Sequence, residues 1–259
     1  MKNPVQRYSR PLATIATIIL GSSILCQAAN IAFTGFETTD TWGVTVSGTG
    51  GAVSTETGSG DKTEASQRIF EGDRSFQISG TTVGTPGGTS VVDFNRIDVS
   101  AFDSIQLTLR VSSPSITGQN GNDGTDVLKF FLAIDGVAYS ITPTITLAGN
   151  QNSIWGYEAT KIGIADAGTP ATFNGVPGGP AGPSTDNYST LVINIPNSAH
   201  TVDFRIVGNN DLNEIWNIDN VSLTGTTAPI PEPGSMIALF GGVGMLFGLR
   251  RLRPIPRIG

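Results

Sequence analysis

Apolar and polar residues alternate along much of the chain between residues 29 and 227. Ile105, Leu107, Leu109 and Val111 alternate with Gln106, Thr108 and Arg110. Leu128, Phe130, Leu132 and Ile134 keep the same period, as do Leu191, Ile193 and Ile195, and then Val202, Phe204 and Ile206. Successive strand side chains point to opposite faces, so a period of two predicts strands with one buried face. Nothing in this body has the i, i+3, i+4 apolar spacing of an amphipathic helix. About ten to twelve strands, joined by turns rich in Gly, Asn and Asp, predict an all-β, two-sheet β-sandwich of jelly-roll type. Roughly 200 residues is enough chain for one sizeable core. Two stretches interrupt the alternation. Residues 166–187, rich in Pro and Gly, predict a long loop, since Pro and Gly punctuate regular structure. Residues 118–126 predict a polar hairpin loop: Gly121 falls where a calcium loop of this length requires a ligand.

The two ends of the chain carry apolar runs of another kind. Of 15 Lys and Arg residues, seven lie at the termini: Lys2, Arg7, Arg10, Arg250, Arg251, Arg253 and Arg257. Between residues 29 and 231, eight basic residues face twenty acidic ones, a balance of −12. That body would repel polyanions, which excludes nucleic acid as a partner. One Cys and one His exclude an internal disulfide and a Cys/His zinc site. The N-terminal basic residues precede an apolar run, Leu12 to Leu25, closed by Cys26-Gln27-Ala28-Ala29. This is the three-part layout of a secretory signal peptide, residues 1–28, with signal peptidase cutting after Ala28. Acylation of Cys26 in a lipoprotein signal is the rival; Leu25 is large where such signals want a small residue.

At the other end, Pro231-Glu232-Pro233 precedes an apolar run from Met236 to Leu249 and the cluster Arg250, Arg251 and Arg253. Fourteen helical residues rise about 21 Å, short of the roughly 30 Å hydrocarbon core. Gly241, Gly242, Gly244 and Gly248 further weaken the run as a permanent span. The arginines favour the cytoplasmic side, which leaves the body across the membrane. Taken in order, these parts resemble the PEP-CTERM sorting signal, here residues 228–259. The resemblance implies an exported protein of a Gram-negative bacterium, held transiently in the inner membrane by a short C-terminal transmembrane helix. An exosortase, a membrane protease, would then remove the tail and release the body to the cell surface or exopolysaccharide matrix. An ordinary membrane anchor is the alternative.

A second resemblance rests on three separated segments. Thr34-Gly35-Phe36-Glu37 opens the body, residues 70–78 (Phe-Glu-Gly-Asp-Arg-Ser-Phe-Gln-Ile) follow, and residues 215–223 (Ile-Trp-Asn-Ile-Asp-Asn-Val-Ser-Leu) close it. They are similar to jelly-roll carbohydrate-binding modules and galactose-binding-like domains. That resemblance implies a structural calcium held by Glu37, Glu71, the carbonyl of Arg74 and Asp219. Calcium takes six to eight oxygen ligands, and three carboxylates from distant segments repel one another without a cation. The same carboxylates could equally be solvated groups at strand ends. Side-chain parity adds an independent sign: Trp216 and Ile218 share a face, whereas Val221 and Leu223 have the opposite parity, which implies a bulge between them.

A sugar surface needs exposed rings that stack on pyranose faces, with polar groups nearby. The candidates are Trp155 and Tyr157, two residues apart, with Trp42 and Tyr188; core packing is the other use for each. Catalysis has less to stand on. His200 is expected in a turn, no Gly-x-Ser-x-Gly elbow occurs, and no Glu-x-Asp-x-x-Glu strand provides paired carboxylates. The expectation is a non-catalytic surface or matrix protein with extracellular polysaccharide as partner. A purely structural or adhesive protein without a ligand site is the close alternative, and a secreted hydrolase the more distant one.

Overall fold

A computed structural model describes residues 28–55, 68–79, 87–114, 121–178, 186–210 and 214–227. Residues 1–27 of the expected signal segment 1–28 and the expected sorting segment 228–259 lie outside the described residues, whereas Ala28, the expected cleavage residue, opens the first strand. Fourteen strands and no helix occur among those described, and so no helix there is long and apolar enough to cross a membrane. In chain order the first seven strands are β1 (Ala28–Thr34), β2 (Val44–Gly48), β3 (Gly51–Ser54), β4 (Ser75–Ser79), β5 (Gly87–Phe94), β6 (Ile97–Asp98) and β7 (Phe102–Ser112). The rest are β8 (Val127–Ile134), β9 (Ile145–Ala148), β10 (Lys161–Asp166), β11 (Ala171–Asn174), β12 (Tyr188–Ile195), β13 (Thr201–Asn210) and β14 (Ile215–Thr227).

The strands form two sheets. The first runs β10-β12-β7-β14-β4-β3, with β1 also on β14; the second runs β11-β9-β8-β13-β5-β2, with β6 on β13. The alternation read from the sequence is the alternation of burial. Along β7, Ile105, Leu107, Leu109 and Val111 are buried, and along β13 so are Val202, Phe204 and Ile206. These inward faces meet in one core between the sheets. Each fully buried aliphatic or aromatic side chain there contributes roughly 1.5–3 kcal/mol relative to exposure.

Two loop expectations need correction. Residues 166–187 are not one long loop: Ala171–Asn174 pairs in parallel with β9. Phe173 on it packs against Tyr188, with ring centroids 4.8 Å apart. Of the 118–126 segment, residues 118–120 lie outside the described residues; residues 121–126 are not part of a hairpin loop, because the flanking β7 and β8 belong to different sheets. Its Asn122 is buried and bridges to Ser153.

Candidate functional site

The three segments singled out in the sequence meet at one place, where β14 changes partner. Its first residues, Ile215 to Ile218, pair with β4, whereas Val221 to Thr226 pair with β1 on the same edge. On its other edge β7 runs continuously, but the register jumps: Asp219 faces Arg110, and Ser222 faces Thr108. One extra residue therefore bulges out of β14, as side-chain parity required, and Asn220 takes a positive φ of 45° within it. The bulge keeps Trp216, Ile218, Val221 and Leu223 all in the core despite their mismatched parity.

Where a strand exchanges partners, backbone N–H groups lose their ladder acceptors, and the carboxylates supply replacements. Asp219, fully buried, accepts from Phe70 N at 2.8 Å and Glu71 N at 3.2 Å through Oδ2, and from Asn220 N at 2.7 Å through Oδ1. These bonds tie the segment entering β4 to the bulge. Glu37, on the segment leaving β1, accepts from Asp73 N at 2.7 Å and Arg74 N at 2.8 Å through Oε1. Glu71 is exposed and takes a bond from Asn220 Nδ2 at 2.8 Å. Gly72 holds a φ of 75°, and a Cβ there would stand 2.4 Å from Glu37 Oε1. The turn therefore needs glycine for both its backbone angle and its space.

Sequence reasoning missed Asp40, whose Oδ2 organises the turn after β1. It accepts from Gly35 N and Glu37 N at 2.7 Å each, and from Thr34 Oγ1 at 3.0 Å. An acidic residue shortly after Thr-Gly in a tight turn was the available signal.

The electrostatics of the junction centre on Asp219. Burial pushes its carboxyl up to about 7; the N–H groups of Phe70, Glu71 and Asn220 oppose that shift, and the nearby Glu37 carboxylate adds to it. Arg110 stands opposite Asp219 in the ladder but its guanidinium turns elsewhere. It lies 4.2 Å above the Phe70 ring and donates to Thr190 Oγ1 and the Tyr157 carbonyl, and burial lowers its pKa. The donor chemistry of Glu37, Glu71, Asp219 and the adjoining carbonyls is the all-oxygen set calcium prefers. Among the described residues no three His, Cys, Asp or Glu side chains are grouped closely enough to hold a metal ion, and the bonds drawn to Glu37 and Asp219 come from backbone N–H groups. Arg74 takes part in the junction through its N–H, which donates to Glu37 Oε1.

Three of the four candidate sugar-stacking rings are interior. Trp42 packs 5.0 Å from Phe94, and its indole N–H is satisfied by the Asn95 carbonyl at 2.8 Å, so the ring can be buried whole. Trp155 meets Trp216 edge-on at 5.0 Å, and Tyr157, packed against Phe70 at 5.2 Å, donates its hydroxyl to the Arg68 carbonyl. Each buries more apolar area by filling the interior than by lining a surface, so they present no platform to solvent. Tyr188 is half-buried, with Lys161 Nζ 5.8 Å from its ring centroid. His200 stands in the turn before β13, exposed, with Nδ1 3.6 Å from Asp135 Oδ2.

The outward face of the second sheet presents different chemistry. Asp93, Arg205 and Phe131 lie side by side across β5, β13 and β8. Arg205 grips Asp93 through two bonds, Nε to Oδ1 at 2.6 Å and Nη2 to Oδ2 at 2.9 Å. Tyr139 folds back from the β8–β9 loop so that the Arg205 guanidinium lies 4.6 Å from its ring centroid, and Phe131 meets the same ring edge-on at 6.4 Å. Burial, helped by Asp93 and Asp203, pushes the Tyr139 hydroxyl up to about 12. Arg96 repeats the motif beside it, bonded to both oxygens of Asp203 at 2.9 and 3.1 Å. Parity could have revealed half of this face, since Phe131 and Arg205 are the outward residues of strands whose inward residues were plain.

No family model matches the chain, and no curated protein matches it in sequence. Among solved structures it is similar to TmCBM61 in complex with beta-1,4-galactotriose: 7% identity over 70% of this chain and 86% of that one, with a TM-score of 0.37. It is also similar to the K3 cleaved adhesin domain of Lys-gingipain from Porphyromonas gingivalis, at 12% identity, 76% and 99% coverage, and a TM-score of 0.37. A third is the CBM22-1 xylan-binding domain of Paenibacillus barcinonensis Xyn10C, at 9% identity, 79% and 95% coverage, and a TM-score of 0.32.

Proposed function

We propose that this is an exported, non-catalytic surface or matrix protein that binds extracellular polysaccharide on the outward face of its second sheet. The observation that carries the binding reading is the Asp93–Arg205–Phe131 row with Tyr139 folded over it. Paired planar charged groups bond to vicinal hydroxyls, and aromatic rings beside them stack on the apolar face of a sugar. The described carboxylates on this face are held by arginines, an arrangement suited to fixed recognition rather than proton transfer. Export and exosortase sorting are proposed from Ala28, Pro231-Glu232-Pro233 and the Arg250–Arg253 cluster.

A structural calcium at Glu37, Glu71 and Asp219 belongs to the same proposal. It is supported by the convergence of these carboxylates, with Glu37 near enough to push the buried Asp219 carboxyl further up and Glu71 bonded to the adjoining Asn220. To hold the ion, these carboxylates would give up backbone N–H partners.

Affinity electrophoresis through neutral and acidic polysaccharides tests the binding reading. Retardation of the wild-type protein by at least one polysaccharide is expected, with loss of retardation in Tyr139→Ala. Burial of Trp42, Trp155 and Tyr157 favours the second reading, a structural or adhesive protein without a ligand site. Migration unaffected by every polysaccharide would establish that reading instead.

A further inference from the structure

We propose that the end of the sandwich from which both termini depart is a membrane-facing end, and that Val137 and Ile141 on it contact the bilayer surface. The inference rests on the export-and-anchor reading above.

Strand pairing puts the two chain ends together. Ala28 pairs with Thr226, so the expected signal segment and the expected sorting segment leave from neighbouring strands at the same end of the first sheet. A short series of hydrogen bonds leads from there to the β8–β9 loop. Phe102 pairs with Thr227; Phe102 N bonds to the Val99 carbonyl, and Val99 N to the His200 carbonyl. Asp135 N bonds to the Thr201 carbonyl, and Val137 N to the Ile134 carbonyl. The β8–β9 loop and the chain ends therefore share one end of the molecule.

That loop holds the two most exposed large apolar side chains among the described residues, Ile141 at 99% and Val137 at 69%. The positive φ angles of Asp135 and Gly136, 55° and 71°, form the tight turn that leads directly into Val137. A lone exposed apolar side chain on a soluble surface is ordinary. Two on one loop, beside the exits of both apolar terminal runs, have an available partner in the lipid.

The chain outside the described residues sets the distance. From Thr227 to Met236, where the C-terminal apolar run begins, there are nine residue steps, at most about 30 Å when fully extended. Signal peptidase would remove the N-terminal run, which leaves the C-terminal run as the tether. A body tethered this closely meets the membrane at high effective concentration, so two apolar side chains too weak to recruit it alone are enough to orient it. Asp98, Asp103, Asp135 and Asp166 at this end outnumber Arg96, so a zwitterionic surface suits it better than an anionic one. The loop end formed by residues 121–126 and 149–160 would then point away from the membrane.

The test uses the chain from Ala29 onward, with the C-terminal run intact and no native cysteine, in phosphatidylcholine nanodiscs. An environment-sensitive fluorophore is placed in turn on Ile141→Cys, on Thr125→Cys at the opposite end, and on Gly248→Cys within the apolar tail. Blue-shifted emission at positions 248 and 141, with water-like emission at 125, is the expected result. A blue shift at 248 with water-like emission at 141 overturns the proposal and leaves the anchor reading standing. Water-like emission at all three overturns both. Because a label adds apolar surface, lipids carrying a paramagnetic headgroup provide a label-free check. The amide resonances of residues 136–142 should broaden in their presence, and those of 149–152 should not; the reverse overturns the proposal.

Discussion

The β1–β4–β14 junction and the outward face of the second sheet each hold acidic side chains near other segments, but the partners differ. At the junction, Asp219 is fully buried and its partners are neutral backbone N–H groups. On the sheet face, Asp93 and Asp203 meet guanidinium groups in partly exposed positions. The first arrangement joins three segments that would otherwise leave donors unmet inside the protein, where an unpaired group is costly. The second is a surface pairing whose contribution to stability is screened by water and salt. Acidic residues that look alike in sequence thus join backbone segments in one place and pair with arginines on a sheet face in the other.

The largest way to break this contrast is Asp219→Ala. It strands the N–H groups of Phe70, Glu71 and Asn220, and a loss of about 3–5 kcal/mol is expected in urea unfolding. A loss below about 1 kcal/mol would mean that the junction does not depend on the carboxylate.

Next is the pH dependence of the metal-free protein. A carboxyl pushed up to about 7 in the folded state retains a proton that the unfolded chain releases near pH 4. Its contribution is fully present below about pH 4 and is lost as pH rises through 7, about 1.4 kcal/mol per unit and up to about 4 kcal/mol in all. Urea midpoints should therefore fall over that window, and Asp219→Asn should flatten the profile. Repeating the series with calcium and with EDTA sharpens the comparison. Calcium that restores stability at neutral pH supports a cation at the junction, whereas identical profiles leave the N–H groups as its partners.

Gly72→Ala should cost about 1–3 kcal/mol, because it combines an unfavourable positive φ with a close approach to Glu37. Thermal unfolding would detect it, and a neutral result would mean that the turn can relax. The smallest stability effect is expected from Arg205→Ala, below about 1 kcal/mol given the exposure of its pair. The same substitution should abolish retardation by any polysaccharide that the wild-type protein binds. A large stability loss without a binding change would reverse the roles assigned to the two regions.

Much of the junction was legible before any coordinates. The parity conflict between Trp216–Ile218 and Val221–Leu223 required a bulge, and the register jump after Asp219 is that bulge. The convergence of the Glu37, Glu71 and Asp219 segments was likewise expected from their resemblance to known domains. Their partners were not legible: parity gives the face on which a side chain lies, but not which backbone groups lack acceptors. Trp155 and Tyr157 show the same limit. A spacing of two would put them on one side of a strand, but residues 153–157 are a loop segment with only isolated bridges at Ser153 and Trp155, folded into the interior.

The sequence by itself determined the alternating strands β7, β8, β12 and β13 and the residues each turns inward, the acidic body and the basic, apolar ends. Those features are local, because a two-residue period and a run of like residues act on neighbouring side chains. Tertiary structure decided that β14 takes β4 and then β1 along one edge, that Asp219 bonds to backbone 148 and 149 residues away, and that Tyr139 folds over Arg205. Such pairings depend on which distant segments the packed core brings within about 3 Å of each other, a distance that no local pattern encodes.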